Sequence, residues 1–288
     1  MNHKLVDLAA GLYFVATPIG NARDITLRAL DILASADVLV AEDTRTLRRL
    51  MDIHGVPVAK RSLISYHDHS SAKVRGRLME YISSGKSVAY ASEAGTPLIA
   101  DPGYHLSKET SEAGHLVTTA PGSSAVLGAL TLAGLPTDSF LFDGFLPAQK
   151  TARRARLQNL SDIQSTLVFY ESPKRLAAML HDARDTLGPE RTAAYCRELT
   201  KKFEEVRRGT LSALCNHVSD RSIKGEVVVL INRAEKLSID EEQLSLDLQK
   251  ALNDMSLRDA TEAVAQAYGL PRRQIYQKAL ELGKAAKG

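Results

Sequence analysis

The chain has 288 residues, 44% hydrophobic and 25% charged, with a formal net charge of +3 at pH 7. This is the make-up of a globular protein of one to three domains, mildly basic, so that an anionic partner is permitted but not required. No run of about 18 apolar residues and no basic–apolar–small leader pattern occurs, which argues against a membrane-spanning helix and a signal peptide and makes the cytoplasm the expected location. Two cysteines, Cys196 and Cys215, are too few for a disulfide framework or a zinc site, and the absence of tryptophan with 5% aromatics speaks against an extensive base-stacking platform.

Apolar runs and amphipathic segments alternate through the first 235 residues. "LYFVA" (12–16), "DVLVAED" (37–43), "SVAYAS" (87–92) and "HLVTTA" (115–120) are predicted strands, separated by helices near 26–35, 71–83, 103–113 and 123–133. That alternation predicts a mostly parallel, helix-covered sheet. From about residue 120 the strands crowd together: "SFLFDGFLP" (139–147), "STLVFYES" (165–172), "RTAAYCREL" (191–199), "EEVRRGT" (204–210) and "KGEVVVLINR" (224–233). With helices near 151–159, 173–187 and 211–219, they predict a second α/β domain with a mixed sheet. The expected division is 1–120, 121–235 and a strand-free, helical extension over 240–288. Within that extension, Leu257, Ala260, Val264 and Ala267 form an apolar stripe; Gly269 and Pro271 predict a tight turn between two helices.

The turn "TPIGNARDIT" after the first strand lacks the G-x-G-x-x-G spacing, and no P-loop pattern occurs anywhere. Pro18 fixes one φ, Gly20 and Asn21 tolerate positive φ, and Asp24 is the expected N-cap of the following helix. "ASEAGTPLIADPGYHL" (91–106) concentrates Gly95, Pro97, Pro102 and Gly103 at a strand end, with Glu93 and Asp101; such stiff, irregular backbone usually lines a crevice, although a long structural connection would read the same way. "APGSS" (120–124) places Ser123 and Ser124 where they cap a helix or leave amides for an anionic group. "AEDTRTLRRL" (41–50) ends a strand with Asp43 and Arg45. "YHDHS" holds His67 and His69, whose spacing alone makes no metal site, so no metal is expected. "CRELTKKFEEVRRGT" (196–210) is either a solvated charged segment or a substrate-facing loop between two strands.

Seven stretches, "LYFVATPIGNARDITLRAL", "AEDTR", "SYHDH", "EAGTPLIADPGYHL", "GLPTDSFLFDGFLP", "FYESPKRL" and "RELTKKFEEVRRGTL", occur in order over about residues 11–232. Together they closely resemble the small-subunit ribosomal RNA 2′-O-methyltransferases of the tetrapyrrole-methylase-like superfamily, and the helical tail is similar to that family's C-terminal, helix-turn-helix-like extension. The resemblance implies two α/β domains with S-adenosyl-L-methionine in the cleft between them, a homodimer, and transfer of the methyl group to the ribose 2′-hydroxyl of a cytidine in the decoding region of 16S ribosomal RNA. It places the turn of Pro18 at the methyl-donor cleft, and their strand-end positions predict that the loops of Glu93, Ala94, Gly95 and Thr96 and of Ser123 and Ser124 converge on the donor, with Tyr170 and Gly225 on the opposite wall. In two places the chain departs from the pattern: Glu93 stands where the family reads Asp, and Cys196 where a small residue is common.

A ribose hydroxyl must lose its proton to attack a methyl carbon, so a general base or a cation beside the developing oxyanion is useful. Asp43, Asp101, Glu171 and Glu198 are candidate bases; Arg45, Arg197 and Lys201 are candidate stabilisers. Arg153, Arg154 and Arg156 of "QKTARRAR", with Arg272 and Arg273 of "PRRQ", are candidate phosphate contacts on the small ribosomal subunit. A tetrapyrrole methyltransferase and a non-catalytic RNA-binding or assembly protein are the competing readings.

Overall fold

The computed structural model describes residues 2–67, 72–219, 221–234, 241–268 and 270–285. They form two compact units, 1–234 and 235–288.

The first unit begins with β1 (Gly11–Val15), α1 (Leu27–Ser35), β2 (Val38–Ala41), α2 (Thr44–Ile53), β3 (Ser62–Ser65), α3 (Ala72–Ser83), β4 (Ser87–Ala91), α4 (Tyr104–Glu112), β5 (Leu116–Ala120) and α5 (Ala125–Ala133). Its five strands pair in the order β3-β2-β4-β1-β5, all parallel. The side-chain period of two sends Tyr13 and Val15 into one core and Leu12 and Phe14 into another, so both faces of the sheet are covered. Because every strand runs the same way, the segments after β1, β2, β4 and β5 leave from one edge, where α/β proteins form their crevices.

Next come β6 (Phe140–Phe145), α6 (Lys150–Asn159), β7 (Thr166–Glu171), α7 (Leu176–Leu187), β8 (Thr192–Arg197), β9 (Glu205–Thr210), α8 (Leu211–Ser219) and β10 (Val227–Ile231). The sheet order is β6-β7-β10-β8-β9, with β6 and β7 parallel and the other pairs antiparallel. Val227 pairs with both Glu171 and Arg197, so the end of β7, the end of β8 and the start of β10 share one edge. One face is covered by α6, α7 and α8, the other by α5, whose Val126, Ala129 and Leu130 pack on Val168, Ala194 and Val228.

Sequence and structure differ at three places here. The helix after the first turn starts at Leu27 and is capped by Thr26, whose hydroxyl accepts from the Ala29 amide at 3.1 Å; Asp24 instead donates its amide to Asn21 within the turn. Helix α2 and strand β3 carry too little apolar signal to be seen in the sequence, α2 burying only Leu47 and Met51 and β3 being a half-buried edge strand of 4 residues.

The second unit is three helices, α9 (Glu241–Asp254), α10 (Leu257–Tyr268) and α11 (Arg272–Ala285). Leu244, Leu248, Val264, Ala265, Ile275 and Ala279 form its own core. Ala265 and Tyr268 complete the stripe expected of Ala267, which faces outward. The Ser256 hydroxyl accepts from the Asp259 amide and donates to the Asp259 carboxylate, a reciprocal cap that starts α10. Gly269, the expected helix stop, lies outside the described residues. No helix among them is long and apolar enough to cross a membrane.

Candidate active site

Three segments of the first sheet's carboxyl edge are laced together. Thr17 and Gly95 exchange both backbone hydrogen bonds, at 2.9 and 3.0 Å. The Thr96 hydroxyl donates to the Ser123 carbonyl at 3.0 Å, and the Ser123 hydroxyl to the Asp24 carbonyl at 2.9 Å. Gly95 sits at φ +81°, where a side chain is strained, and a Cβ there would lie 3.2 Å from Ile19 Cγ2.

These loops face the shared edge of the second sheet across a crevice of about 710 Å³. Pro18, Glu93, Ala94, Gly95, Thr96, Asp101 and Ser124 line it from one side; Tyr170, Glu171, Lys201 and Gly225 line it from the other. Ser123 stands behind this wall, holding Thr96 and Asp24. The turn after β1 reaches the far side at its tip: the Asn21 amide donates to the Thr200 hydroxyl at 3.0 Å, and only a glycine at position 20 leaves room for Leu199, Thr200 and Lys201.

Electrostatically the crevice is acidic. Glu42, Glu93, Asp101, Glu171 and Glu226 face it, against one ammonium among the described residues, that of Lys201. Burial alone would lower the Lys201 pKa, but the Glu226 and Glu198 carboxylates, 2.8 and 2.9 Å from Nζ, hold it above the ordinary lysine value. Lys201 is therefore a fixed cation, suited to stabilising negative charge rather than to accepting a proton. Tyr170 is held neutral, its pKa raised by burial and then by Asp101 and Glu226.

Several expected catalytic groups stand elsewhere. Asp43 caps α2 and is clamped by the Arg45 guanidinium, whose hydrogen bonds depress the carboxyl to about 2; Arg45 itself points to solvent. Arg197 alternates to the opposite sheet face from Cys196 and binds Glu205 at 2.5 Å. Glu198 is tucked beneath Gly225, accepts from Lys201 and the Glu226 amide, and has its pKa lowered chiefly by the Lys201 hydrogen bond. Cys196 lines the crevice as an inert thiol, its pKa pushed up to about 11 by burial. His69 lies outside the described residues.

Glu171 is the one wholly buried carboxylate of the crevice. Oε1 accepts from the Ser172 amide at 2.7 Å, while Oε2 has no hydrogen-bond partner among the described residues. Burial raises its pKa, against the pull of Ser172, Arg175 and Arg153. A carboxyl with a raised folded-state pKa stabilises the fold at pH below the ordinary carboxylate range, and that contribution is lost as pH rises through the folded value. The melting temperature of Glu171→Gln should thus fall less than that of wild type as pH rises above the ordinary carboxylate range; parallel curves would show that the carboxyl titrates as it does in the unfolded chain.

The α6 arginines require a correction. Arg153 is buried, 5% exposed, and donates to Asp182 at 2.6 and 2.8 Å and to the Ala148 carbonyl. It reaches no external phosphate. Arg154 binds Asp182 and Asp185, and Arg156 binds Asp143, each keeping partial exposure. Arg153→Ala should cost about 3 kcal/mol of unfolding free energy by leaving Asp182 short of its buried partner, with the salt dependence of RNA binding unchanged; a wild-type denaturation midpoint would count against that. In the second unit, Arg272 and Arg273 sit at the start of α11, with Arg272 3.5 Å from Glu262.

Reasoning from the sequence passed over Glu42, Thr46, Phe145, Ser172, Leu199 and Glu226 as crevice residues. Except for Thr46, in the first turn of α2, they stand at or just beyond a strand's end, a signal of position rather than residue type.

Two α/β sheets meeting over a crevice at their strand ends are the architecture of the Tetrapyrrole (Corrin/Porphyrin) Methylases, whose family profile matches residues 11–215; the RsmI C-terminal HTH domain profile matches 240–283. Among solved structures, uroporphyrin-III C-methyltransferase from Thermus thermophilus, complexed with S-adenosyl homocysteine, superposes with a TM-score of 0.53 over 78% of this chain and 97% of that one, at 18% identity, a likeness of fold alone. Two curated relatives are much nearer in sequence. The ribosomal RNA small subunit methyltransferase I of Mesorhizobium japonicum is 44% identical over 276 residues, 96% of this chain and 93% of the relative. That of Pseudomonas aeruginosa is 41% identical over 95% of this chain and 98% of its own length. The chain belongs to the ribosomal RNA small subunit methyltransferase I family of tetrapyrrole methylases.

Proposed function

We propose that the protein transfers a methyl group from S-adenosyl-L-methionine to the ribose 2′-hydroxyl of a cytidine in the decoding region of 16S ribosomal RNA, as a cytoplasmic homodimer acting on the small ribosomal subunit. The observation that carries this reading is the acidic crevice joining both sheets, in a chain of this family. Its size suits a nucleoside-sized ligand. Small and apolar groups such as Ala94, Gly95 and Ala125 allow close approach to a flat base, and the excess of carboxylates suits a sulfonium and an ammonium. When bound, the donor supplies the electrophilic methyl carbon and its own leaving group.

The chain's part is positioning and charge. Pro18 and the 93–96 loop form one wall, with Ser124 and the Ser123 carbonyl network behind it, and Tyr170 and Gly225 close the other. In this reading Asp101, a crevice carboxylate near enough to Tyr170 to raise its pKa, takes the 2′-hydroxyl proton, and Lys201 stabilises the oxyanion as it forms. Arg272 and Arg273 supply phosphate contacts from the helical unit.

The test is mass mapping of ribose methylation in 16S RNA from a strain lacking the protein, followed by transfer to those particles with purified protein. Unaltered methylation in that strain would refute the reading; a methylated tetrapyrrole instead would assign the chain to small-molecule chemistry.

A further inference from the structure

The loop from 198 to 204, between β8 and β9, is rigid. The Lys201 amide donates to the Glu198 carbonyl at 3.0 Å, the Glu204 amide to the Lys201 carbonyl at 3.1 Å, and the Thr200 amide to the Glu204 carboxylate at 2.7 Å. Glu198 and Thr200 hold positive φ, 51° and 63°, which a non-glycine residue adopts only where its surroundings impose it. Leu199 anchors the loop in the core beneath α5, and Thr200 fixes it to the turn after β1.

At the tip of this braced loop Phe203 is 64% exposed. The Lys202 ammonium lies 5.5 Å from the centre of its ring. Two residues earlier in the chain Lys201 lines the crevice, so the Phe203 backbone lies within about 7 Å of the Lys201 backbone. Arg207 and Arg208 of the edge strand β9 are also exposed, Arg207 paired with Glu205 and Arg208 donating to the Leu132 carbonyl. A large apolar ring held out in water by a hydrogen-bonded loop, with a cation over it, is a combination that can stack an unpaired base while meeting its phosphate.

We infer that Phe203 and Lys202 form a single-base stacking post at the mouth of the crevice, holding an unpaired base of the RNA next to the nucleotide being methylated. The inference rests on the RNA-methylating reading above and concerns one position, not a broad platform. Charge favours RNA as the occupant: the Lys202 ammonium over the ring suits a polyanion, and the chain as a whole carries a net charge of +3.

The chain contains no tryptophan, so Phe203→Trp introduces a sole indole whose emission reports on the ring's surroundings. Small ribosomal subunits lacking the modification serve as probe. Phe203→Ala should raise the KM for these particles roughly 10- to 100-fold, with kcat and calorimetric donor affinity close to wild type, and Phe203→Trp should restore it. Adding particles should quench the indole. Wild-type KM in Phe203→Ala, or an indole unquenched by particles that bind, would overturn the stacking role. So would an indole shielded by raising protein concentration without RNA, which would place the ring in a contact between copies. Quenching by particles that the wild-type protein does not methylate would leave the post standing and remove the proposed reaction.

Discussion

Lys201→Ala is expected to lower kcat for methyl transfer by about 100- to 1,000-fold, the usual cost of removing a preorganised donor from a developing oxyanion. The direction of its effect on donor binding separates this role from a structural one. Among the described residues Lys201 is the only cation lining an otherwise acidic crevice, so its removal leaves a cationic donor bound equally well or more tightly. Calorimetry with the donor and single-turnover transfer to small subunits measure the two quantities. Loss of both together would mean that Lys201 serves chiefly to hold Glu198 and Glu226 in place. Lys201→Arg should recover little, because the planar fork cannot meet the two carboxylates and the substrate in the ammonium's geometry.

Gly20→Val should reduce kcat/KM by about 100-fold or more, since small misplacements of reacting groups carry costs of that order. A Cβ at position 20 would lie 2.5 Å from Lys201 Cγ, 2.6 Å from Thr200 Oγ1 and 2.9 Å from the Leu199 carbonyl. The first two are side-chain atoms; the third is backbone of a loop held by its own hydrogen bonds and cannot retreat cheaply. The turn must therefore lift, breaking the Asn21–Thr200 hydrogen bond and displacing both Pro18 and Lys201. Melting temperature should fall less than activity, because of the sheet cores named above only the one beneath α5, which holds Leu199 and Ile19, touches this contact, and the two larger ones contain neither residue. An active Gly20→Val enzyme would show that the two walls do not depend on this touching point.

Most strands were legible because their apolar runs are continuous, as buried sheets require: β1, β4 and β10 are buried along their whole length. Strand β3 was not, since an edge strand needs only a half-apolar sequence, and α2 was hidden because its start reads as the polar end of β2. Loop composition drew attention to residues 93–101 and 120–124, and both stand at the crevice. The charged pairs were the illegible part. Arg153 and Lys201 look alike in sequence, each in a basic run, yet one is sealed against Asp182 and the other faces the crevice. Partner identity there depends on contacts 29 and 25 residues away in the chain, which no local pattern encodes.

The carboxylates around the crevice give the proposed reaction a direction. A sulfonium arrives carrying a positive charge and departs as a neutral thioether, so the field of Glu42, Glu93, Asp101 and Glu226 attracts the fresh donor and loses its grip on the spent one. Discrimination between the two is thus set by charge alone, without any wall of the crevice having to move.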